Sequence, residues 1–263
     1  MKFPVMFKKF KRQLNIFRNL RNPLTYWGYK YGLLKREPLF LKLHNGVIAE
    51  VPARMLHTFK ESVFQEDYIK GFPRGIIHDF ENSTVVDVGA NVGYFSLWWL
   101  SRFPRSTVIA VEPMPNNFSL LERNKALNPD KNFHLVNCAV RNQTGNIILN
   151  FDRSDSFTTA ASVTKGAGGG QDEISVKATS LNQLMADFGL SRIDFLKLDC
   201  EGSEYDILYH CDGVLLDSIR CIAMETHPGA EAAECKEALC DFLRSRKFHI
   251  NTKSGSHLVH AYR

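Results

Sequence analysis

Thr84-Val-Val-Asp-Val-Gly-Ala-Asn-Val-Gly-Tyr-Phe-Ser96 is followed by a second apolar run over 107–111 that ends on Glu112. The pattern reads as a buried strand, a glycine turn, a helix, a second strand and a carboxylate at that strand's end. This is one nucleoside-binding half of a doubly wound α/β sheet. Gly89 and Gly93 permit a tight turn and close approach of a ligand, and Glu112 can accept bonds from both hydroxyls of a ribose. A dinucleotide cradle requires G-x-G-x-x-G; here Asn91 takes the middle position and the last glycine comes one residue early. The spacing therefore points to an adenosine without phosphates, and S-adenosyl-L-methionine is the commonest cofactor of that kind.

A chain of 263 residues, 44% apolar and 11% aromatic, suits one globular domain with an elaboration. Six cysteines stand at 138, 200, 211, 221, 235 and 240 with no C-x-x-C pair. They read as buried free thiols in a reducing compartment, so a cytoplasmic location is expected and zinc is not. No apolar run reaches the length of a membrane span, and the N-terminus lacks the apolar block of a secretory signal. The net charge of +5 is unevenly placed. Ten Lys or Arg and no acid fall in the first 36 residues, leaving 23 bases against 28 acids in the rest. The excess belongs to an arm, so it is no argument for nucleic acid as a partner.

In that arm (1–37), Phe3, Phe7, Phe10, Leu14 and Phe17 recur at helical spacing among Lys8, Lys9, Lys11, Arg12 and Arg18. A basic helix over 1–21 could lie on an anionic membrane or a protein partner, or pack on its own domain. A mitochondrial targeting segment would carry serines, which are missing here. Residues 38–82 form a cap. Two alternating runs flank His44-Asn45-Gly46 as a hairpin, and 53–70 reads as a helix closed by Gly71 and Pro73.

From 83 to 263 the pattern is α/β. Strands are predicted at 84–88, 107–111, 133–138, 193–198, 219–225, 247–252 and 257–262, with helices at 93–102, 115–127, 180–188, 203–210 and 230–245. The last strand follows its predecessor after a short turn, so the mostly parallel sheet must end in an antiparallel hairpin. That ending suits a class I methyltransferase (Rossmann-like) rather than a dehydrogenase. The polar segment 152–173, with Gly166-Ala-Gly-Gly-Gly170 at its centre, reads as a flexible insertion at the tip of a hairpin between 146–151 and 174–179.

Val86-Asp-Val-Gly-Ala-Asn-Val-Gly93, Val111-Glu-Pro113, Asn137-Cys-Ala-Val140 with Gly145, Ser180-Leu181 and Ile193-Asp-Phe-Leu-Lys-Leu-Asp-Cys-Glu-Gly-Ser-Glu204 agree with one family. Across roughly 40–263 the chain resembles the FkbM-type S-adenosylmethionine-dependent methyltransferases. Asp87 with an acid 25 residues later, joined to Lys-Leu-Asp-x-Glu-Gly-x-Glu, is the specific part. Cys200 stands where an aliphatic residue is common. The resemblance implies a class I methyltransferase sheet and transfer to a hydroxyl of a sugar or other natural product.

The residues assigned to the cofactor are Asp87, Gly89, Ala90, Asn91, Gly93, Tyr94, Glu112, Pro113, Cys138 and Ala139. Asp87 either faces a cationic cofactor or ties down the glycine turn. Cys138 and Ala139 end the third strand, where backbone meets an adenine edge. Methyl transfer to an alcohol requires an aligned acceptor, exclusion of water and removal of a proton. Asp199 and Glu201 close strand four, while Glu225, Thr226 and His227 close strand five. His227 is the expected base, as a neutral imidazole at pH 7, with Asp199 its rival or the holder of the acceptor hydroxyl. Glu204 is read as a cap of the helix near Ser203. The acids and His227 could surround a divalent ion, but no metal is assigned. Trp98 and Trp99 read as core, and the remaining histidines have no ligand spacing.

The expected activity is S-adenosylmethionine-dependent O-methylation of a sugar, glycan or glycosylated metabolite. One rival is N-methylation of nucleic acid or protein guided by the arm. Against it, Asp199-Cys-Glu-Gly202 replaces the Asn/Asp-Pro-Pro-Tyr/Phe signature of amino-directed enzymes. The other is a binding module that keeps the fold without turnover. The methyl acceptor and the oligomeric state are not legible.

Overall fold

A computed structural model of the chain describes residues 15–152, 157, 172–229, 231–253 and 255–263. The predicted helix upstream of Asn15 and most of the polar insertion lie outside the described residues. Residues 15–19 are helical and lead into α1 (Pro23–Lys30). Ile16, Leu20 and Tyr26 are buried in the same core as the cap, so this part of the arm is built into it.

β1 (Leu39–Lys42) and β2 (Ile48–Val51) form the predicted hairpin, with Leu39 opposite Val51. Asn45 and Gly46 turn it at positive φ, which glycine, lacking a Cβ, and asparagine tolerate. The single helix expected over 53–70 is instead broken. α2 (Leu56–Lys60) runs into a π turn over Glu61–Gln65, Glu66 takes a left-handed conformation (φ 52°), and α3 (Asp67–Lys70) and α4 (Arg74–Ile77) follow. The break lets Phe59, Val63, Phe64, Ile69 and Phe72 all reach the core, which a straight helix laid over a twisted sheet could not do.

The α/β domain runs β3 (Thr84–Val88), α5 (Tyr94–Arg102), β4 (Thr107–Val111), α6 (Pro115–Ala126), β5 (Phe133–Val136), β6 (Ala139–Arg141), β7 (Gly145–Phe151), β8 (Asp172–Ser180) and α7 (Leu181–Asp187). It continues through β9 (Ile193–Leu198), α8 (Glu204–Tyr209), α9 (Gly213–Ser218), β10 (Ile219–Glu225), α10 (Lys236–Ser245), β11 (His249–Thr252) and β12 (Leu258–Tyr262). Seven strands form one sheet in the order β11-β12-β10-β9-β3-β4-β5. The five from β10 to β5 are parallel, and β12 is antiparallel to both its neighbours. This is the class I methyltransferase architecture, with the antiparallel hairpin at its C-terminus.

β3, β4, β9 and β10 are buried on both faces, which explains their near-continuous apolar runs, while the edge strand β5 is only half-buried beyond Phe133. Val85, Val108 and Phe195 face the aromatic layer of α5 and the cap. Val86, Ile109 and Leu196 face the layer that holds Leu184 of α7, Leu208 of α8 and Leu239 of α10. Each such side chain contributes about 1.5–3 kcal/mol on burial. The strand predicted at 133–138 ends at Val136, because β6 leaves the main sheet to join β8 and β7 in a small sheet of its own. β7 and β8 make the expected hairpin, with Phe151 opposite Asp172. The helix expected at 230–245 begins only at Lys236, since Gly229 and Glu234 close a turn ahead of it.

Candidate active site

Four parallel strands end on the same edge, and their exits surround one cavity of about 940 Å³. Gly89, Ala90 and Asn91 follow β3; Glu112, Pro113 and Met114 follow β4; Asp199, Cys200 and Glu201 follow β9; Glu225 and His227 close β10. The cap adds Glu61 and Tyr68 to the wall, and the C-terminal hairpin adds Asn251 and Leu258.

The first turn is held by the chain itself. The amides of Gly89 and Ala90 both donate to the Val111 carbonyl at 3.0 Å. A Cβ at Gly89 (φ +72°) would stand 1.8 Å from the Asp199 carbonyl oxygen. The glycine is demanded by the close passage of two strand exits as well as by φ. Gly93 (φ +87°) starts α5, and a Cβ there would meet Leu121 at 2.4 Å. It is not on the cavity wall, so its part is to shape the turn and not to touch a ligand.

Glu112 sits at the wall, 4% exposed. Its Oε2 accepts the Asn91 amide at 2.8 Å, and its Oε1 accepts the Met114 amide at 2.9 Å and Asn117 Nδ2 at 3.3 Å. Burial pushes its carboxyl up to about 7, against the pull of those three donors. A carboxylate has about four acceptor positions and three are taken here, so room remains for one hydroxyl donor. Beside it, the buried Asn91 Oδ1 has no hydrogen-bond partner among the described residues. An unpaired amide oxygen on a cavity wall fits a ligand that brings its own N–H or O–H. Together with the apolar patch of Cys138, Ala139 and Val140, this wall fits S-adenosylmethionine.

Three of the residues assigned to the cofactor are placed otherwise than expected: Gly93, off the cavity wall, Asp87, and the hydroxyl of Tyr94. Asp87 is fully buried and off the cavity wall. Its Oδ1 pairs with Lys197 Nζ at 3.0 Å and its Oδ2 accepts Ser96 Oγ at 2.6 Å. The carboxylate is already neutralised, so of the two readings the one that ties down the turn is the observed one. Tyr94 lends the wall its ring alone, because its hydroxyl donates to the Glu50 carbonyl of the cap.

Lys197, part of the Lys-Leu-Asp-x-Glu-Gly-x-Glu block but without a role assigned from sequence, links the two halves of the site. Its ammonium donates to the Gly89 carbonyl at 2.9 Å, pairs with Asp87, and lies 3.6 Å from Asp199 Oδ2. Burial works against its charge, but Asp87 and then Asp199 hold its pKa above the ordinary lysine value. Tyr68 donates to the same Asp199 oxygen at 2.9 Å. The lysine could have been found as the one cation inside a buried apolar strand. No sequence signal marks Tyr68.

On the opposite wall, His227 lies between two carboxylates. Its Nδ1 is 2.8 Å from Glu204 Oε1 and its Nε2 is 3.5 Å from Glu201 Oε2. Burial opposes its charge but is outweighed by the hydrogen bond and field of Glu204, then by Glu201 and Asp199, and the ring is raised to about 9. The imidazole is therefore protonated at pH 7, and the neutral base expected from sequence is not the resting form. Glu204 does not cap its helix. It is fully buried, accepts from the Cys200 amide and faces the His227 ring. Glu201, at positive φ on the turn before it, is raised to about 7 by burial and by Asp199, Glu204 and Glu225, against the pull of His227.

A sequence model of the family described as "Methyltransferase FkbM domain" matches residues 87–250, well over half of the chain. The chain belongs to the FkbM methyltransferase family. It is 27% identical to the methyltransferase sdnD of Sordaria araneosa over 55% of this chain and 66% of that protein. It is 26% identical to the 31-O-demethyl-FK506 methyltransferase FkbM of Streptomyces tacrolimicus over 71% and 81%. The AMB antimetabolite synthetase AmbE of Pseudomonas aeruginosa is 28% identical over 73% of this chain but only 11% of its own length. The chain thus spans just under two thirds of sdnD and about a tenth of AmbE. The crystal structure of an FkbM methyltransferase from Methylobacillus flagellatus superposes with a TM-score of 0.50 at 15% identity, covering 69% of this chain and 44% of that one. The likeness confirms the fold.

Proposed function

We propose that this FkbM-family chain transfers a methyl group from S-adenosylmethionine to a hydroxyl of a sugar, glycan or glycosylated metabolite. The observation that carries the reading is one cavity with two unlike walls. Asn91 and Glu112 offer acceptors for a nucleoside on one side, and Asp199, Glu201 and His227 stand on the other. A family relative named for an O-demethyl compound, 31-O-demethyl-FK506, supports oxygen as the accepting atom. The six cysteines are all unpaired, which favours the cytoplasm. No described helix is long and apolar enough to cross a membrane.

S-adenosylmethionine, when bound, supplies a methyl on a sulfonium whose departing thioether is neutral and needs no acid. Glu112 would accept from a ribose hydroxyl, the Asn91 amide oxygen would receive a further donor, and the Cys138–Ala139 segment would line the adenine side. Asp199, fixed by Tyr68 and Lys197, orients the acceptor hydroxyl. Glu201 takes the hydroxyl proton on its carboxylate, since a group titrating near 7 is matched to that task at neutral pH. The His227 imidazolium steadies the ionised Glu201 until the proton arrives.

Isothermal calorimetry with S-adenosylmethionine tests the cofactor wall. Glu112→Ala should weaken binding at least about tenfold, from loss of a charge-assisted hydrogen bond, whereas His227→Ala should bind normally and turn over slowly. Wild-type affinity should fall as pH drops below about 7, because a ribose hydroxyl donates to the ionised carboxylate and protonation removes it. Unchanged affinity in Glu112→Ala would remove the assignment.

A further inference from the structure

Helix α1 is apolar on two sides. Tyr26 points into the core at 2% exposure, while Leu24 and Tyr31 fall at i and i+7 on the other face, with Trp27 between the two sides, half-buried against the core. Phe17 packs edge-on against Trp27 with ring centroids 4.6 Å apart. Leu34 lies over Gly28, where an added Cβ would meet its Cδ1 at 2.8 Å. The result is one continuous apolar face facing outward. Leu33 is 82% exposed, Leu24 76%, Tyr31 66% and Phe17 55%. Of the seven large exposed hydrophobics among the described residues, five lie between 17 and 34. Single exposed apolar residues are ordinary, but a cluster of this kind is not.

The face is fixed to the fold. The Arg21 amide donates to the Lys42 carbonyl, Asn22 clasps both Phe40 and Lys42, and Asn15 Nδ2 donates to the Phe64 carbonyl. Its charge is of one sign. Arg18, Arg21, Lys30, Lys35 and Arg36 are exposed around it, and no acid occurs before Glu37, which accepts the Tyr29 hydroxyl. The rest of the chain after Arg36 carries a net of −5, so the basic face stands out against an acidic body.

We propose that α1 and residues 30–36 form a docking face for an anionic lipid bilayer. The Leu, Tyr and Phe side chains enter the boundary between headgroups and acyl chains, and the lysines and arginines meet lipid phosphates. A protein partner would be expected to offer acids opposite fixed polar groups, and this face presents only aliphatic and aromatic tips with cations around them. The inference concerns a surface remote in sequence from the catalytic residues and stands whether or not the acceptor is a sugar.

Flotation of the full chain with vesicles tests it. Binding is expected to vesicles in which phosphatidylglycerol replaces about a third of the phosphatidylcholine, with little to phosphatidylcholine alone, and should weaken as salt is raised. Leu24→Ser with Leu33→Ser, and separately Lys30→Glu with Lys35→Glu and Arg36→Glu, should each lower partitioning by about tenfold or more. Melting temperature and S-adenosylmethionine affinity should not move, because these side chains are exposed. The proposal is overturned if the two vesicle types bind alike or if both variants bind as the wild type does. It is equally overturned if light scattering shows a dimer that Leu24→Ser with Leu33→Ser disperses, which would assign the face to a second copy.

Discussion

His227 keeps its proton at neutral pH because one carboxylate, Glu204, is buried against Nδ1 and a second, Glu201, faces Nε2. In a half-buried site each ion pair is little screened, so the two acids outweigh the desolvation of the ring. The same neighbours act in opposite senses on Glu201, which His227 pulls down while Asp199, Glu204 and Glu225 push it up. A pH profile of kcat/KM should therefore be bell-shaped. It should rise as Glu201 ionises near 7 and fall as His227 loses its proton near 9, with both limbs belonging to the coupled set. Glu204→Gln removes the largest support of the imidazolium. The His227 titration followed by NMR should move to lower pH, and the alkaline limb of the profile should move with it. An alkaline limb that stays near 9 in Glu204→Gln would show that another group controls it.

At the scale of elements, β3 and β9 are joined by more than their ladder. Parallel register sets Asp87 opposite Lys197, both on buried faces, and their ion pair closes the space between the strands just below the glycine turn. A pair of buried charges is costly to desolvate, and breaking it by removing one partner leaves the other stranded. Lys197→Met should destabilise the protein by about 3–5 kcal/mol in urea unfolding. Asp87→Asn combined with Lys197→Met should recover much of that loss, since the fully buried carboxylate is gone and Asp199, a third exposed, keeps the Tyr68 hydrogen bond. The double variant is also informative for function. It should fold, yet bind the cofactor and orient Asp199 less well, because the lysine also holds the Gly89 carbonyl and faces Asp199.

In the whole molecule, the cap and the sheet meet at the Asp199 side of the cavity. The kink at Glu66 carries Tyr68 onto Asp199, while Tyr94 on α5 reaches back to the Glu50 carbonyl on β2. The cap is thus part of the active-site wall, held by a shared aromatic core that includes Phe59, Phe64 and Phe95. Tyr68→Phe keeps the ring and removes one hydrogen bond to a charged oxygen. The variant should lose about 1.5–3 kcal/mol or less of stability, measured by thermal unfolding. A rise in KM for the acceptor with S-adenosylmethionine affinity unchanged would place Tyr68 on the acceptor side, and the reverse pattern would contradict it.

The α/β alternation, the glycine turn, the acid at 112 and the Lys-Leu-Asp-x-Glu-Gly-x-Glu block were legible in sequence, because strand periodicity, turn chemistry and motif spacing are local properties of a chain. The family followed from them. What needed the folded molecule were the partnerships made across the sheet. Asp87 could have faced a cofactor until Lys197 was seen beside it, and His227 could have been neutral until Glu204 and Glu201 were seen on either side. Likewise, the outward apolar face of α1 became visible only once Tyr26 was known to occupy the inward one. Electrostatic state and exposure depend on neighbours distant in sequence and on how much water they exclude, and tertiary packing alone decides both.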